Sequence, residues 1–435
     1  MRFADLFCGI GGFHAALSQL GHECVFACDA DADAAEMYEK NFGINAHHDV
    51  RDCKDLPDFE ILCAGFPCQP FSKSGSQQGF SDVTRGTLFH EIMRIVRESK
   101  PKILFLENVP NLHTHDDGNT FEIIKTSIEE EGYQFSSAIL SPHEFGTPQI
   151  RKRLYMVAIK QEYCREEVFQ FPKGTQQKTS VKTILDKKRS VNKKYYLSDE
   201  EIRILNHWND FIQRIDPEVK PPSPTWSQDF GRSYPLEKIH PISKQWRVTV
   251  RDLKKSLQKD GVPIPDSRLR KDLLNCFPPY IVSAKKPLPK WKKKFISNNR
   301  IFREKNEQLL GSDWLSRVRS FEETYQKFEW QVGDEKRDIW RYMIQIRPSG
   351  IRVKKTNYIP ALVAIAQIPI IGWQKRRMTP IECARAQDFD VDGLISKQYT
   401  VSNNDGIAYK QLGNAVNVKL TRIIFKTIQD YIGDE

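Results

Sequence analysis

No stretch of about 18 uninterrupted apolar residues occurs in the 435-residue chain, so no segment reads as a membrane-spanning helix. The start, Met1-Arg2-Phe3-Ala4-Asp5-Leu6, has no signal-peptide pattern and reads as a first strand. The nine cysteines make an odd count with no CxxC pair. Cys24 and Cys28 are spaced for zinc but have no second pair, so free thiols in a reducing cytoplasm are expected, and no metal. The glycine-rich turn near the N-terminus does not follow GxGxxG, because His14 stands where the last glycine would be. That disfavours a dinucleotide oxidoreductase. Internal repeats and low-complexity tracts are also missing.

Charge is present, and unevenly placed. The formal net charge is +10, yet residues 161–375 alone carry 43 Lys+Arg against 25 Asp+Glu. The flanking segments together are therefore acidic. All eight tryptophans, from Trp208 to Trp373, lie in the same basic stretch. Basic residues interleaved with aromatics are the footprint of nucleic-acid binding, although most of these rings are expected in a small core.

Residues 1–160 alternate between short apolar runs and amphipathic segments. Strands are expected at Arg2–Leu6, Glu23–Ala27, Ile61–Ala64, Ile103–Leu106 and Leu154–Ile159, with helices near 13–20, 32–41, 87–98 and 120–131. A further strand is expected just before Asp49. This alternation predicts an α/β fold with a doubly wound, mostly parallel sheet covered on both faces. The alternation stops at residues 161–375 and resumes at 376–435. There Thr379, Pro380 and Glu382 form a helix start, and a last apolar helix is expected over 419–432. Three segments follow: an α/β domain over 1–160, a smaller basic insert over 161–375, and a return to the first domain over 376–435.

Chemistry gathers at the ends of the expected strands. Asp5-Leu6-Phe7-Cys8-Gly9-Ile10-Gly11-Gly12-Phe13 brings backbone close to a ligand at a helix N-terminus. Asp29 ends the second strand, where an acid can accept ribose hydroxyls. Asp49 could take an exocyclic amine. Gly65-Phe66-Pro67-Cys68-Gln69-Pro70-Phe71-Ser72 places a cysteine between two prolines on a stiff loop, a poor site for a core residue and a good one for a nucleophile. The polar segment Lys73–Asp82 behind it reads as a lid. Glu107 ends the fourth strand, facing the same crevice. Arg151 and Arg153, two apart in an extended segment, point the same way and suit a phosphate or a base carbonyl.

Taken in order, these motifs resemble those of the S-adenosylmethionine-dependent DNA (cytosine-5)-methyltransferases. The likeness covers DLFCGIGG, GFPCQPFS, Glu107-Asn108-Val109, Gln149–Arg153 and Gln411–Val416, hence nearly all of 1–160 and 376–435. It implies a Rossmann-like methyltransferase fold and places the family's variable target-recognition region at 161–375. It implies Cys68 as nucleophile at cytosine C6, Glu107 as the partner of ring nitrogen N3, and Arg153 with Arg151 holding the base. For the cofactor it implies Phe7, Gly9, Gly11 and Gly12 around the methionine part, Asp29 at the ribose and Asp49 at the adenine amine. Asn414 and Val416 would form the far wall. One departure stands out: the residue after the ribose acid is often bulky and covers adenine, and here it is Ala30.

The resemblance further implies a cytoplasmic bacterial enzyme at the nucleoid, acting on a flipped-out cytosine of duplex DNA. Action as a monomer is expected, because asymmetric recognition needs no two-fold. A restriction endonuclease of the same specificity would be a possible companion. A transfer-RNA methyltransferase on the same scaffold is the alternative, but its Cys-Phe-Thr motif is replaced here by Cys276-Phe277-Pro278. A catalytically silent DNA-binding partner is a third reading, opposed by the retention of Cys68, Glu107 and both arginines.

Overall fold

Arg2–Leu6 (β1), Glu23–Cys28 (β2), Ile61–Ala64 (β3) and Ile103–Asn108 (β4) are parallel strands of one six-stranded sheet. Tyr133–Leu140 (β5) and Arg153–Lys160 (β7) complete it, in the order β2-β1-β3-β4-β7-β5. The two-residue strand Gln149–Ile150 (β6) pairs separately with Ile359–Pro360. These assignments come from a computed structural model, which describes all residues except 68–87, 176, 188–189, 234–235, 237–248, 260–263, 265–271, 274–275, 279–287, 364–366, 396 and 434–435. Cys68 and the Lys73–Asp82 segment fall outside the described residues.

The central strands are apolar on both faces because helices cover both. On one face Leu6, Leu62, Leu104 and Met156 pack against Phe89, Ile92 and Val96 of α3 (Leu88–Ser99) and Phe121 and Ile124 of α4 (Asn119–Glu130). On the other, the Phe105 ring lies 5.2 Å from Phe13 of α1 (Gly12–Ser18) and 6.0 Å from Phe425 of the last helix, Val418–Ile432. Between β2 and β3 runs α2 (Ala32–Phe42), capped by Asp31 and stopped by Gly43 in the left-handed region. Thr379 caps helix Pro380–Ala386 in a full capping box with Glu382. Two expectations change. Asp49 follows only an isolated bridge between Asp29 and His47, not a strand. The half-buried β5, with Gln134, Ser136 and Ser137 breaking its apolar run, is an addition to the expected strands.

Register places the chemistry. Leu6 pairs with Ala64, Ala64 with Leu106 and Leu106 with Met156. The residues that follow β1 and β3 therefore leave the sheet at one edge, where Glu107 and Asn108 carry β4 on against β7 alone. β7 runs antiparallel to β4, so its first residue, Arg153, begins at the edge where the parallel strands end.

The chain forms two compact units. The first holds Met1–Val191, Thr356–Ile368 and Met378–Glu435; the second holds Asn192–Lys355 and Pro369–Arg377. Residues 161–191 and 356–368, grouped with the insert by charge, thus belong to the first unit. Phe169, Val181 and Ile184 are buried there, and Val181 N–H donates to Thr356 O at 2.9 Å. The second unit has its own core around helix Asp199–Arg214. Trp208 is fully buried in it, stacked on Phe328 at 4.9 Å, with its indole N–H on Tyr325 O. Trp314 is buried in the same core, whereas Trp291 is 58% exposed. No helix among the described residues is long and apolar enough to cross a membrane.

Candidate active site

A cavity of about 650 Å3 opens in the first unit at the strand-end edge. Phe7, Gly9, Gly12, Asp29, Ala30, Asp49, Glu107, Arg151, Arg153, Asn414 and Val416 all line it. Phe66 and Pro67, which lead directly to Cys68, line it as well. The strand order brings residues from both ends of the chain to one hollow.

The glycine loop shapes one wall. Phe7 adopts a left-handed φ of 53°, a conformation that costs an ordinary residue about 1–2 kcal/mol and is typical of ligand-facing turns. A Cβ on Gly12 would lie 2.5 Å from Val416 Cγ2 and 2.9 Å from its carbonyl oxygen. The bare Cα lets the C-terminal segment close against the loop. Gly12→Ala is expected to destabilise the fold by about 1–3 kcal/mol through overpacking, read as a lower thermal midpoint. Gly11 is close-packed on its other side. It does not line the cavity, and its missing Cβ makes room for the Phe42 ring.

Asp29 is held by backbone. Its Oδ2 accepts from Gly9 N–H and its Oδ1 from Asp31 N–H, both at 2.8 Å. Burial raises its pKa, and these two donors pull it back. Each oxygen keeps a lone pair for a further donor. Asp49 differs: Arg51 lies beside it with Nη2 2.5 Å from Oδ2, and that guanidinium lowers its pKa to about 2. Asp49 is therefore ionised, and it is already partnered.

Glu107 and Arg153 form the reactive-looking pair. Arg153 Nε stands 2.9 Å from Glu107 Oε1, and both are largely buried. Burial raises the Glu107 pKa; Arg153 and then Arg151 oppose the rise without cancelling it. Such burial favours the protonated carboxyl beyond what an exposed glutamate would show. Arg151 is fully enclosed and spends its guanidinium on the fold, donating to Leu362 O and Gly413 O at 3.0 Å each.

Two contributors have no role that sequence alone assigns. Asn108 Nδ2 donates to Phe66 O at 2.9 Å, tying the end of β4 to the segment entering Cys68. Lys410 Nζ bonds Asp31 Oδ2 at 2.7 Å, joining distant parts of the chain. Asn108 lies inside the Glu107-Asn108-Val109 motif; for Lys410 no local signal exists.

A family model described as C-5 cytosine-specific DNA methylase matches residues 1–430. The chain belongs to that family. The methylase is 32% identical to the type II methyltransferase M.AluI of Cellulosimicrobium cellulans, over 98% of this chain and 91% of that one. It is 48% identical to the type II methyltransferase M.HhaI of Haemophilus parahaemolyticus over 187 residues, or 42% of this chain. That local match spans 57% of the relative's length. Among solved structures, an E. coli prophage-encoded chain described as a candidate DNA modification methyltransferase superposes with TM-score 0.51 at 18% identity. The superposition covers all of both chains. The methylase shares its fold, a Rossmann-like methyltransferase sheet.

Proposed function

We propose that the chain transfers a methyl group from S-adenosylmethionine to C5 of a cytosine flipped out of duplex DNA, through a covalent bond from Cys68 to C6. The observation that carries this reading is the buried Glu107–Arg153 pair, in one cavity with the glycine loop, Asp29 and the segment entering Cys68.

The cavity fits the cofactor. Its volume lies within the roughly 300–1,000 Å3 usual for ligand pockets, and Asp29, held by two backbone N–H donors, presents its carboxylate to it. Asp29 would take the ribose hydroxyls, Asp49 the adenine amine, and Phe7, Gly9 and Gly12 the methionine part. Asn414 and Val416 would close the far wall. Ala30 offers only a methyl group, so Val50, which also lines the cavity, would supply apolar cover for adenine. S-adenosylmethionine supplies an electrophilic methyl on a sulfonium. Asp29→Ala is expected to weaken its binding about 10–100-fold, the worth of hydrogen bonds to a charged group; calorimetry reads the change.

The protein's own residues do the remaining work. C5 of cytosine is too weak a nucleophile unaided. The Cys68 thiolate adds at C6, the C5=C6 double bond opens, and its electrons become available at C5. A protonated Glu107 meets N3, so negative charge does not build on the ring, and Arg153 fixes both Glu107 and the base. After transfer a water molecule takes the C5 proton, the double bond re-forms, Cys68 departs as thiolate and the N3 proton returns to Glu107. Arg151, bonded to two carbonyls, would brace this wall rather than touch the base.

A duplex hides C5 and C6, so the base must be extruded at a cost of a few kcal/mol. The basic insert would recognise the surrounding duplex. Action as a monomer, in the bacterial cytoplasm at the nucleoid and beside an endonuclease of the same specificity, completes the proposal. Labelled-methyl transfer from S-adenosylmethionine to mixed-sequence duplex DNA and to transfer RNA tests it, with bisulfite sequencing of the product. Label in DNA cytosines alone supports the proposal; label in RNA alone overturns it.

A further inference from the structure

The wall that carries Asp49 is one short turn. Val50–Asp52 is a single 3-10 turn, held internally by Asp52 N–H on Asp49 O, by Arg51 N–H on the capping Asp49 Oδ1, by Cys53 Sγ on Asp49 O and by a longer bond, at 3.4 Å, from Cys53 N–H to Val50 O. A turn of this length leaves carbonyls that its own backbone cannot satisfy. Yet it presents both Asp49 and Val50 to the cavity. Two of its carbonyls, those of Val50 and Cys53, take support from outside the turn.

That support comes from α3. Arg94 Nη2 donates to Val50 O at 3.2 Å and to Cys53 O at 2.9 Å, spanning the turn. The guanidinium is aimed by acids on its own helix: Nε bonds Glu91 Oε2 and Nη1 bonds Glu98 Oε2, each at 2.9 Å. Glu91 itself lines the cavity, so the brace runs from the cavity wall through Arg94 to the turn. A planar fork with fixed donors suits this geometry; a lysine can reach one carbonyl but not grip both and both acids.

We infer that Arg94 is a positioning residue of the cofactor site, holding the Asp49–Val50 wall in its binding geometry from α3. The inference rests on the cofactor occupying this cavity. Arg94 touches neither reacting partner, so its removal loosens cofactor binding and spares the chemical step.

The test uses the full-length protein with Arg94→Met and Arg94→Lys, beside wild type and Asp29→Ala. Amide hydrogen exchange without cofactor, calorimetric Kd for S-adenosylmethionine, and the KM and kcat for methyl transfer are all measured. In Arg94→Met, exchange at residues 50–53 rises at least about tenfold while β1, β3 and β4 stay protected. Kd and KM rise about tenfold, the loss of one to two charge-assisted bonds, and kcat at saturation stays within about twofold. Arg94→Lys recovers part of the affinity. Should Arg94→Met fail to fold, Glu98→Gln, which removes only the outer acid, must shift exchange at 50–53 in the same direction. Unchanged exchange and Kd, or a fall in kcat with KM constant, overturns the role of Arg94. Failure of the wild type to bind S-adenosylmethionine overturns the cofactor reading instead.

Discussion

Cys68→Ser is expected to abolish methyl transfer, lowering kcat by about 10⁴-fold or more while leaving S-adenosylmethionine binding near the wild-type value. A serine hydroxyl is scarcely ionised at neutral pH and adds poorly to a ring carbon, so the first covalent bond does not form. The proposed cofactor contacts lie on the glycine loop, Asp29, Asp49 and the Asn414–Val416 segment, none of which includes residue 68. Calorimetry and single-turnover transfer on one preparation separate the two quantities. A variant that lost both together would place Cys68 in the fold rather than in the chemistry.

Glu107→Gln has the second-largest expected effect, a fall in kcat of about 10²–10⁴-fold. The change removes a group that can give and regain a proton while keeping its size. Glu107 is 8% exposed, and burial raises its pKa against the pull of Arg153 and Arg151. The sign for catalysis follows directly. The protonated carboxyl is the form that serves N3, so activity present below the raised pKa is lost as pH rises through it. The wild-type rate should decline on the alkaline side, and the residual Glu107→Gln rate should not follow that decline. A pH series of single-turnover rates checks both. A parallel alkaline fall in the two proteins would assign it to another group.

Much of the site is legible without the fold, for reasons visible in particular residues. Ile61–Ala64 is a short, wholly apolar run closed by glycine and proline, and it forms a strand over those same residues. The apolar run before Glu107 puts that acid at a strand end, and β4 does carry it to the cavity. β5 escapes because its residues alternate with Gln and Ser, so no periodic apolar signal rises above the background. Arg151 reads, with Arg153, as half of a pair that holds a phosphate or a base carbonyl. Its burial is decided by carbonyls at Leu362 and Gly413, far along the chain, which no local pattern reveals. Arg94 is hidden for the opposite reason. Glu91, Arg94 and Glu98 have the spacing of an ordinary exposed helix face, and only the fold brings the Val50 and Cys53 carbonyls to it. The limits of the insert differ from the charge boundary for a similar cause: charge marks composition, whereas Phe169, Val181 and Ile184 follow packing.

Everything proposed for the chemistry turns on a covalent bond between Cys68 and the target base, and that bond can be trapped. Duplex DNA carrying 5-fluorocytosine in place of cytosine would be incubated with S-adenosylmethionine and the protein, then denatured and analysed by peptide mass spectrometry. Fluorine at C5 cannot leave as the proton does, so after methyl transfer the adduct cannot resolve. The expected product is a methylated fluoropyrimidine nucleotide attached to the peptide containing Cys68, absent without cofactor and absent in Cys68→Ser. Methylation of ordinary DNA by a protein that forms no such adduct, or an adduct on another residue, would contradict the proposed mechanism.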